Sequence, residues 1–414
     1  MNYSNNAIFY IPILYVLLLM YRMSWFPFAG VIENKEYIIF LVTFTIICLL
    51  TIDFDRLFNH DFTLLSTKNS ILVLLFAIFF ISTINFNTQE LSHVSNFFKL
   101  ISLFAYITLY SVIFPKFLVQ NSGYFEKLVR FLSNLGFITA VFGIGLYFSG
   151  YKPNQMAIYL ISFIRHPNGV SIILSLSVIS TLYYLIWKKD SISSFSQKFY
   201  ISSFAIQFIA ELLTQSRTGI LACVVSVSVF LLIYYRKKVI VLLPVIMAGI
   251  NFFVLGYILS KGATSFFSRF RLWLVAYYLV SRDDSKLFWG YGFTDSNEIF
   301  KENAMIFTET VEHPHNAYIS ILLMFGLYFL IVFLCFLIFL LFVTLNKLMK
   351  SKDREGKLFY TFILSMFASF LFQGLFESPL VLTWYFLMPF FLIILGLMYL
   401  MIGKKTSIAS VYSG

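Results

Sequence analysis

The sequence contains little charge, few cysteines and no nucleotide-binding loop. Charged residues make up 12% of the 414 residues, whereas 60% are hydrophobic and the mean hydropathy is +0.85. Soluble domains of this size do not have such a composition, so we predict a polytopic membrane protein. The three cysteines lie inside apolar runs, which argues against a disulfide framework. Because Cys/His clusters and Gly-rich phosphate loops are also missing from the sequence, we expect neither a metal nor another cofactor.

Acidic residues are scarce relative to basic ones, which leaves a formal net charge of +11. Such a charge can indicate nucleic-acid binding, but basic loops of a membrane protein explain it better, so we expect no nucleic-acid partner. About twelve apolar runs resemble membrane helices. They cover 7–23, 37–52, 70–84, 97–115, 128–149, 169–187, 199–213, 219–235, 239–259, 315–345, 358–376 and 380–402. The expected fold is all-α, with one integral membrane domain over residues 1–414.

The loops between these runs predict how the chain crosses the membrane. With both termini in the cytoplasm, most of the 30 Lys and Arg residues fall in cytoplasmic loops, as the positive-inside rule requires. Many of the remaining basic residues lie in one long segment, residues 260–314, and long loops count little in that rule. We therefore expect this segment, between spans 9 and 10, to be extracytoplasmic. Its length favours a functional role.

The long loop contains a pattern of aromatic residues. Phe266, Phe270, Trp273 and Tyr277 recur every three or four positions. This spacing predicts a short amphipathic helix that lies on the membrane surface. The sequence WGYGF at 289–293 follows, and its glycines indicate a plain turn.

The loop ends where polar residues meet a long apolar run. Glu312, His315 and Asn316 stand at this boundary, and an imidazole held there by a helix can take or give a proton near neutral pH. Gly326 lies about three helical turns further on and would let another helix backbone pack closely. Alternatively, His315 is only a polar residue at the membrane interface and Asn316 is a helix N-cap.

Four arginines share the predicted outer face with His315. They are Arg165 before one span, Arg217 in the short turn TQSRTG, and Arg269 and Arg271 on the surface helix. Because Arg binds phosphate through a forked guanidinium, such a cluster suits a substrate that carries a diphosphate. Each arginine could instead contact lipid headgroups or mark a topology boundary, and for Arg271 we favour lipid contact. Glu211, inside an apolar run, is costly to bury, and one of these arginines is its expected partner.

Four stretches, in this order and on one predicted side of the membrane, form a recognisable set. They are RHPNG (165–169), TQSRTGILA (214–222), RFRLW with FWGYGF (269–273 and 288–293), and the His-Asn-x9-Gly pattern from His315 to Gly326. Together they resemble the O-antigen polymerase and ligase family of bacterial inner-membrane glycan enzymes. The resemblance covers roughly residues 150–330, and the first half of the chain matches only in hydropathy.

The resemblance implies a helical bundle with a large periplasmic loop that transfers a glycan from undecaprenyl diphosphate without a metal. The family arginines at the diphosphate correspond to Arg165, Arg217 and Arg269. The family histidine corresponds to His315, which would help to deprotonate or orient the acceptor hydroxyl, and Glu312 is its rival in that role. The predicted substrate-binding set is completed by Arg271, Asn316 and Glu211.

The identity of the acceptor separates the members of this family. Polymerases extend a second lipid-linked repeat unit, whereas ligases transfer the glycan to lipid A–core. The ligase pattern continues with Gly, Thr or Tyr three positions after the glycine, and Phe329 at that position favours a polymerase. A flippase for the same lipid-linked glycan is a further alternative, although the sequence lacks the paired halves common in transporters. Expected partners are the lipid-linked oligosaccharide, the bilayer and a chain-length regulator protein.

The predicted topology can be tested with single cysteines in a background that lacks Cys48, Cys223 and Cys335. A cysteine at position 285, replacing Ser285 in the long loop, should react with a membrane-impermeant thiol reagent in intact spheroplasts. A cysteine replacing Ser351 should react only after the membrane is permeabilised. The reverse pattern would place the arginines and His315 on the cytoplasmic side and overturn the predicted orientation.

Overall fold

The chain is helical over the residues that a computed structural model describes. These are 2–22, 106–120, 122–150, 159–164, 166–235, 264–291, 299, 314–377 and 388–401. The helices are α1 (Asn2–Arg22), a π-helical turn (Leu109–Ile113) continued by α2 (Phe114–Gln120), α3 (Ser122–Phe148), α4 (Pro167–Trp187), α5 (Ser194–Leu213), α6 (Arg217–Tyr235), α7 (Thr264–Ser281), α8 (Asp284–Trp289), α9 (Ala317–Lys350), α10 (Arg354–Gly374) and α11 (Met388–Leu400). These residues contain no strand, so the predicted all-α class is confirmed.

Several helices coincide with predicted membrane spans. In the described part of the chain, five helices are long and apolar enough to cross a membrane: α3 from Gly123, α4, α6, α9 and α10. Helices α1 and α5 overlap two further predicted spans. The spans predicted at 37–52, 70–84 and 239–259 lie outside the described residues. The polytopic membrane fold is therefore confirmed, and the number of twelve spans stays a prediction.

Helix α4 lies at the centre of the bundle. In its most apolar 18-residue stretch, 83% of the residues are buried inside the protein, a larger share than in the other four candidate spans. Two neighbours approach it through glycine, since a Cβ on Gly136 of α3 would overlap Ser177 and a Cβ on Gly219 of α6 would overlap Ser171. Small residues let helix backbones pack closely in lipid, where burial of apolar side chains provides little drive for association. These contacts fix α4 and, with it, the residues at its N-terminus.

Helix α7 covers the residues for which the aromatic spacing predicts a helix, and its position on the membrane surface stays a prediction. Its buried side includes Ala276 and Leu279, which pack in one cluster with Leu323 of α9. The aromatic residues Phe270 and Tyr277 are exposed. An exposed aromatic face on a helix that packs by its other side is suited to contact lipid.

Helix α9 is interrupted at Gly326, whose φ of +76° and ψ of 179° are not helical. The turn after α8 packs into this break. In this turn, Gly290 has a φ of +75°. The N–H of Tyr291 donates to the carbonyl of Leu323 in α9 at 2.7 Å. A Cβ on Gly326 would overlap the carbonyl of Phe288, and Gly290 is enclosed by the α9 backbone in the same way. The close backbone approach predicted at Gly326 is confirmed. The predicted plain turn is instead a tertiary contact.

Replacement of Gly326 by alanine should destabilise the protein, because the backbone conformation is nearly exclusive to glycine and the added Cβ has no space. The strained backbone alone costs about 1–3 kcal/mol. The measurement is the thermal unfolding midpoint of the detergent-solubilised protein. Gly145→Ala is the matched control, since Gly145 is helical in α3 and a Cβ there meets nothing within 4 Å. Equal midpoints for the two variants would show that the α8–α9 contact does not depend on glycine.

Candidate functional site

The carboxylate of Glu377, just beyond the end of α10, joins three other segments of the chain. Glu377 is only 8% exposed. Its Oε1 accepts a hydrogen bond from Asn168 Nδ2 at 2.6 Å. The same oxygen forms an ion pair with Arg269 Nη2 at 3.5 Å. Its Oε2 faces His315 Nδ1 at 3.6 Å. The structure thus brings two predicted site residues, Arg269 and His315, to one carboxylate.

The backbone of the same turn is held by side chains from other helices. Asn316 Nδ2 donates to the carbonyl of Leu375 at 2.9 Å, and Arg269 Nη1 donates to the carbonyl of Phe376 at 3.1 Å. Arg269 Nη1 also lies 3.5 Å from Thr218 Oγ1 at the start of α6. These bonds fix the two residues that follow the last residue of α10, Gly374, and precede Glu377.

The start of α9 fixes the position of His315. Asn316 is the N-cap, and its Oδ1 accepts hydrogen bonds from the N–H groups of Tyr318 at 2.9 Å and Ile319 at 3.0 Å. His315 has a φ of +48°, in the left-handed region that non-glycine residues adopt infrequently. Such a conformation persists only where the surroundings impose it, and it is found most often at functional sites. The alternative expected for Asn316, an N-cap, is therefore confirmed, and the cap orients the neighbouring imidazole.

Three helices begin at this cluster. Helix α4 begins beside Asn168, α6 begins beside Thr218, and α9 begins after Asn316. Each helix N-terminus carries the equivalent of about half a positive charge from its aligned peptide dipoles. The opposite, negative end of α10 is also here, and Asn316 and Arg269 donate to the carbonyls of Leu375 and Phe376, which follow its last residue. The three N-termini favour an anion at the cluster, and the Glu377 carboxylate lies there in the structure.

His166 caps the first of these helices. Its Nδ1 accepts a hydrogen bond from the backbone N–H of Asn168 at 3.3 Å. The pKa of His166 lies below its ordinary value because the surrounding protein displaces water from part of the ring, and repulsion from His315 adds to this effect while attraction to Glu377 opposes it. The neutral ring is the form that can accept this N–H. His166 belongs to the RHPNG stretch but was not among the predicted site residues.

The other predicted arginines occupy different environments. Arg217 is half-buried as the first residue of α6, next to Thr218, which contacts Arg269. Arg271 is exposed, two residues beyond Arg269 on α7. The assignment of Arg271 to lipid contact stays a prediction.

Glu211 lies behind the cluster, inside the bundle. It is 1% exposed, and its carboxylate accepts a hydrogen bond from Ser171, one turn along α4 from Asn168. Gly219 of α6 closes over this pair. The arginine partner expected for Glu211 does not occur among the described residues, where its hydrogen-bond partner is Ser171.

Some predicted residues cannot be placed. Arg165 and Glu312 lie outside the described residues. Within the described residues, no group of three or more His, Cys, Asp or Glu side chains is arranged to hold a metal ion. A metal-independent reaction therefore stays a prediction.

Sequence reasoning missed Glu377 and the role of Asn168. Glu377 is one of only 19 acidic residues and directly follows an apolar run, in the sequence FQGLFESP. Burial of a carboxylate at such a boundary is energetically unfavourable unless it has a partner. This property could have indicated Glu377 as a site residue. Asn168 belongs to the RHPNG stretch, but only the charged residue of that stretch, Arg165, was predicted to bind the substrate.

Comparison with known proteins agrees with the motifs. Residues 202–334 match a family model described as O-antigen ligase. The match covers about a third of the chain, from α5 into α9, and includes Arg217, Arg269 and His315. A comparison with curated proteins found no match. The match supports the resemblance of this stretch to the O-antigen polymerase and ligase family, whose members are glycosyltransferase-like enzymes of O-antigen assembly.

Proposed function

We propose that this protein is an O-antigen polymerase at the periplasmic face of the bacterial inner membrane, with both termini in the cytoplasm. It joins undecaprenyl-diphosphate-linked oligosaccharide repeat units, and undecaprenyl diphosphate is the leaving group. The observation that carries the proposal is the convergence of Arg269, His315 and three helix N-termini on the Glu377 turn. Phe329, at a position where the ligase pattern has Gly, Thr or Tyr, supports a polymerase over a ligase.

Arg269 and the three helix N-termini are the positive groups of the site, and they suit the diphosphate. As the bond to the sugar breaks, negative charge accumulates on the departing diphosphate. Arg269 is held by Phe376 and Glu377, so its guanidinium is oriented before substrate arrives. Donors that are fixed in advance stabilise developing charge without reorganisation during the reaction. Arg217, at the start of α6, is the second candidate for this role.

His315 suits the acceptor side of the reaction. With Nδ1 facing Glu377 at 3.6 Å, its proton is favoured on that nitrogen, which leaves the Nε2 lone pair for the acceptor hydroxyl. At 3.6 Å the two atoms are too far apart for a hydrogen bond, and catalytic contacts often shorten only when substrate binds. The hydroxyl oxygen bonds to the anomeric carbon, the bond from that carbon to the diphosphate oxygen breaks with its electron pair, and the hydroxyl proton passes to His315. Glu377 then stabilises the imidazolium.

Deletion of the gene, followed by a gel of the surface polysaccharide, tests this function. A polymerase deletion should remove the long chains and leave lipid A–core capped with one repeat unit. Loss of all attached glycan would identify a ligase instead. Accumulation of lipid-linked repeats on the cytoplasmic side of the membrane would identify a flippase.

Arg269→Lys should lower the rate of chain extension by roughly tenfold or more, because Lys keeps the charge but loses the forked hydrogen bonds. The measurement is the length distribution of the polysaccharide, normalised to the amount of protein in the membrane. Arg271→Lys is the matched control, since Arg271 is exposed on the same helix and should retain most activity. Similar activity of the two variants would remove Arg269 from the diphosphate site.

Chelation of divalent metals should leave the reaction intact, because the proposed site balances the diphosphate charge with arginine and helix N-termini. The measurement is polymerisation of undecaprenyl-diphosphate-linked repeats by the purified protein in liposomes with excess EDTA. A sample with EDTA presaturated with Mg²⁺ controls for ionic strength. Complete loss that one added divalent metal restores would show that the reaction needs a metal.

A further inference from the structure

His166 lies at the candidate site but has no role in the reaction described so far. It is the N-cap of α4, two residues before Asn168, which donates to Glu377 at 2.6 Å. The ring interacts electrostatically with both Glu377 and His315. Its side chain is exposed, so a ligand can reach it. The site therefore contains a second imidazole beside the one assigned to the acceptor hydroxyl.

The two imidazoles differ in their hydrogen-bonding role at Nε2, although in both the protein contacts Nδ1. His166 Nδ1 accepts the backbone N–H of Asn168 at 3.3 Å, so the proton of the neutral ring is on Nε2. His315 Nδ1 instead faces the Glu377 carboxylate at 3.6 Å, which favours the proton on Nδ1. The bond made by one ring nitrogen determines what the other nitrogen can do. His166 is therefore a hydrogen-bond donor at Nε2, whereas His315 is an acceptor there.

We propose that His166 donates its Nε2–H to a phosphate oxygen of the lipid diphosphate during glycan transfer. This inference rests on the proposed function, because that reaction needs both a proton acceptor for the hydroxyl and hydrogen-bond donors for the departing diphosphate. His315 has the form suited to the first task, and His166 has the form suited to the second. The donor works as a neutral group beside Arg269, so it adds a directed hydrogen bond without adding a further charge next to His315.

A purely structural role for His166 predicts a different response to mutation. Asn is among the most favoured N-cap residues, and its side-chain oxygen can accept the Asn168 N–H as Nδ1 does now. His166→Asn therefore keeps the helix cap and removes the Nε2–H donor. His166→Gln carries a longer side chain whose amide N–H can reach close to the Nε2 position. His166→Ala removes both the cap and the donor.

The experiment compares these full-length variants in liposomes with undecaprenyl-diphosphate-linked repeats as substrate. We expect His166→Asn to keep the wild-type unfolding midpoint and to lose about tenfold or more in kcat, with a smaller change in KM, because charge on the diphosphate builds up in the transition state. His166→Gln should recover part of kcat. Wild-type kcat in His166→Asn would overturn the proposal and leave His166 as a cap only.

A second measurement keeps the inference separate from the proposed function and from any folding defect. Equilibrium binding of undecaprenyl diphosphate, normalised to the folded fraction, should be weaker for His166→Asn than for wild type. Unchanged affinity would overturn the proposal even if that variant is less stable. If wild-type protein binds undecaprenyl diphosphate but transfers no glycan, the proposed function fails. In that case, the binding comparison still decides whether His166 contacts the diphosphate.

Discussion

The arrangement of the site depends on the compensation of one buried carboxylate. A charge that is nearly removed from water is strongly unfavourable unless it is paired and hydrogen-bonded. Glu377 obtains its partners from α4, from α7 and from the residue before the α9 cap. Because each partner comes from a different part of the chain, removal of the carboxylate would take one polar contact from all three segments at once. The turn after α10 is therefore the point that relates these helices to one another.

The paired glycines provide a second constraint, of a steric kind. Gly290 and Gly326 let the end of α8 enter a break in α9, and the apolar contacts of α7 with Leu323 support the same junction. His315 and Asn316 directly precede the short part of α9 that lies before the break. Its direction is thus set by backbone contact on one side and by the cap on the other. The imidazole is oriented by packing that lies about three helical turns away.

Features that depend on local pattern could be predicted from the sequence, whereas pairings between distant segments could not. Hydropathy located the helices, and aromatic spacing located α7. The motif glycine at Gly326 indicated a close backbone approach, which the structure contains. Glu377 was missed because its surroundings in the sequence are apolar and its partners are far away along the chain. For the same reason, Ser171 could not be recognised as the partner of Glu211.

The bond between Asn168 and Glu377 joins residues that are 209 positions apart in the chain. During synthesis, earlier segments leave the ribosome first, and domains fold as their parts become available. Helices α4 to α9 are synthesised before the turn after α10 exists. Until then, Arg269 and His315 have no Glu377 to contact. Assembly of the site is thus one of the last events in the biogenesis of this protein, and a nascent chain that ends before α10 cannot carry it.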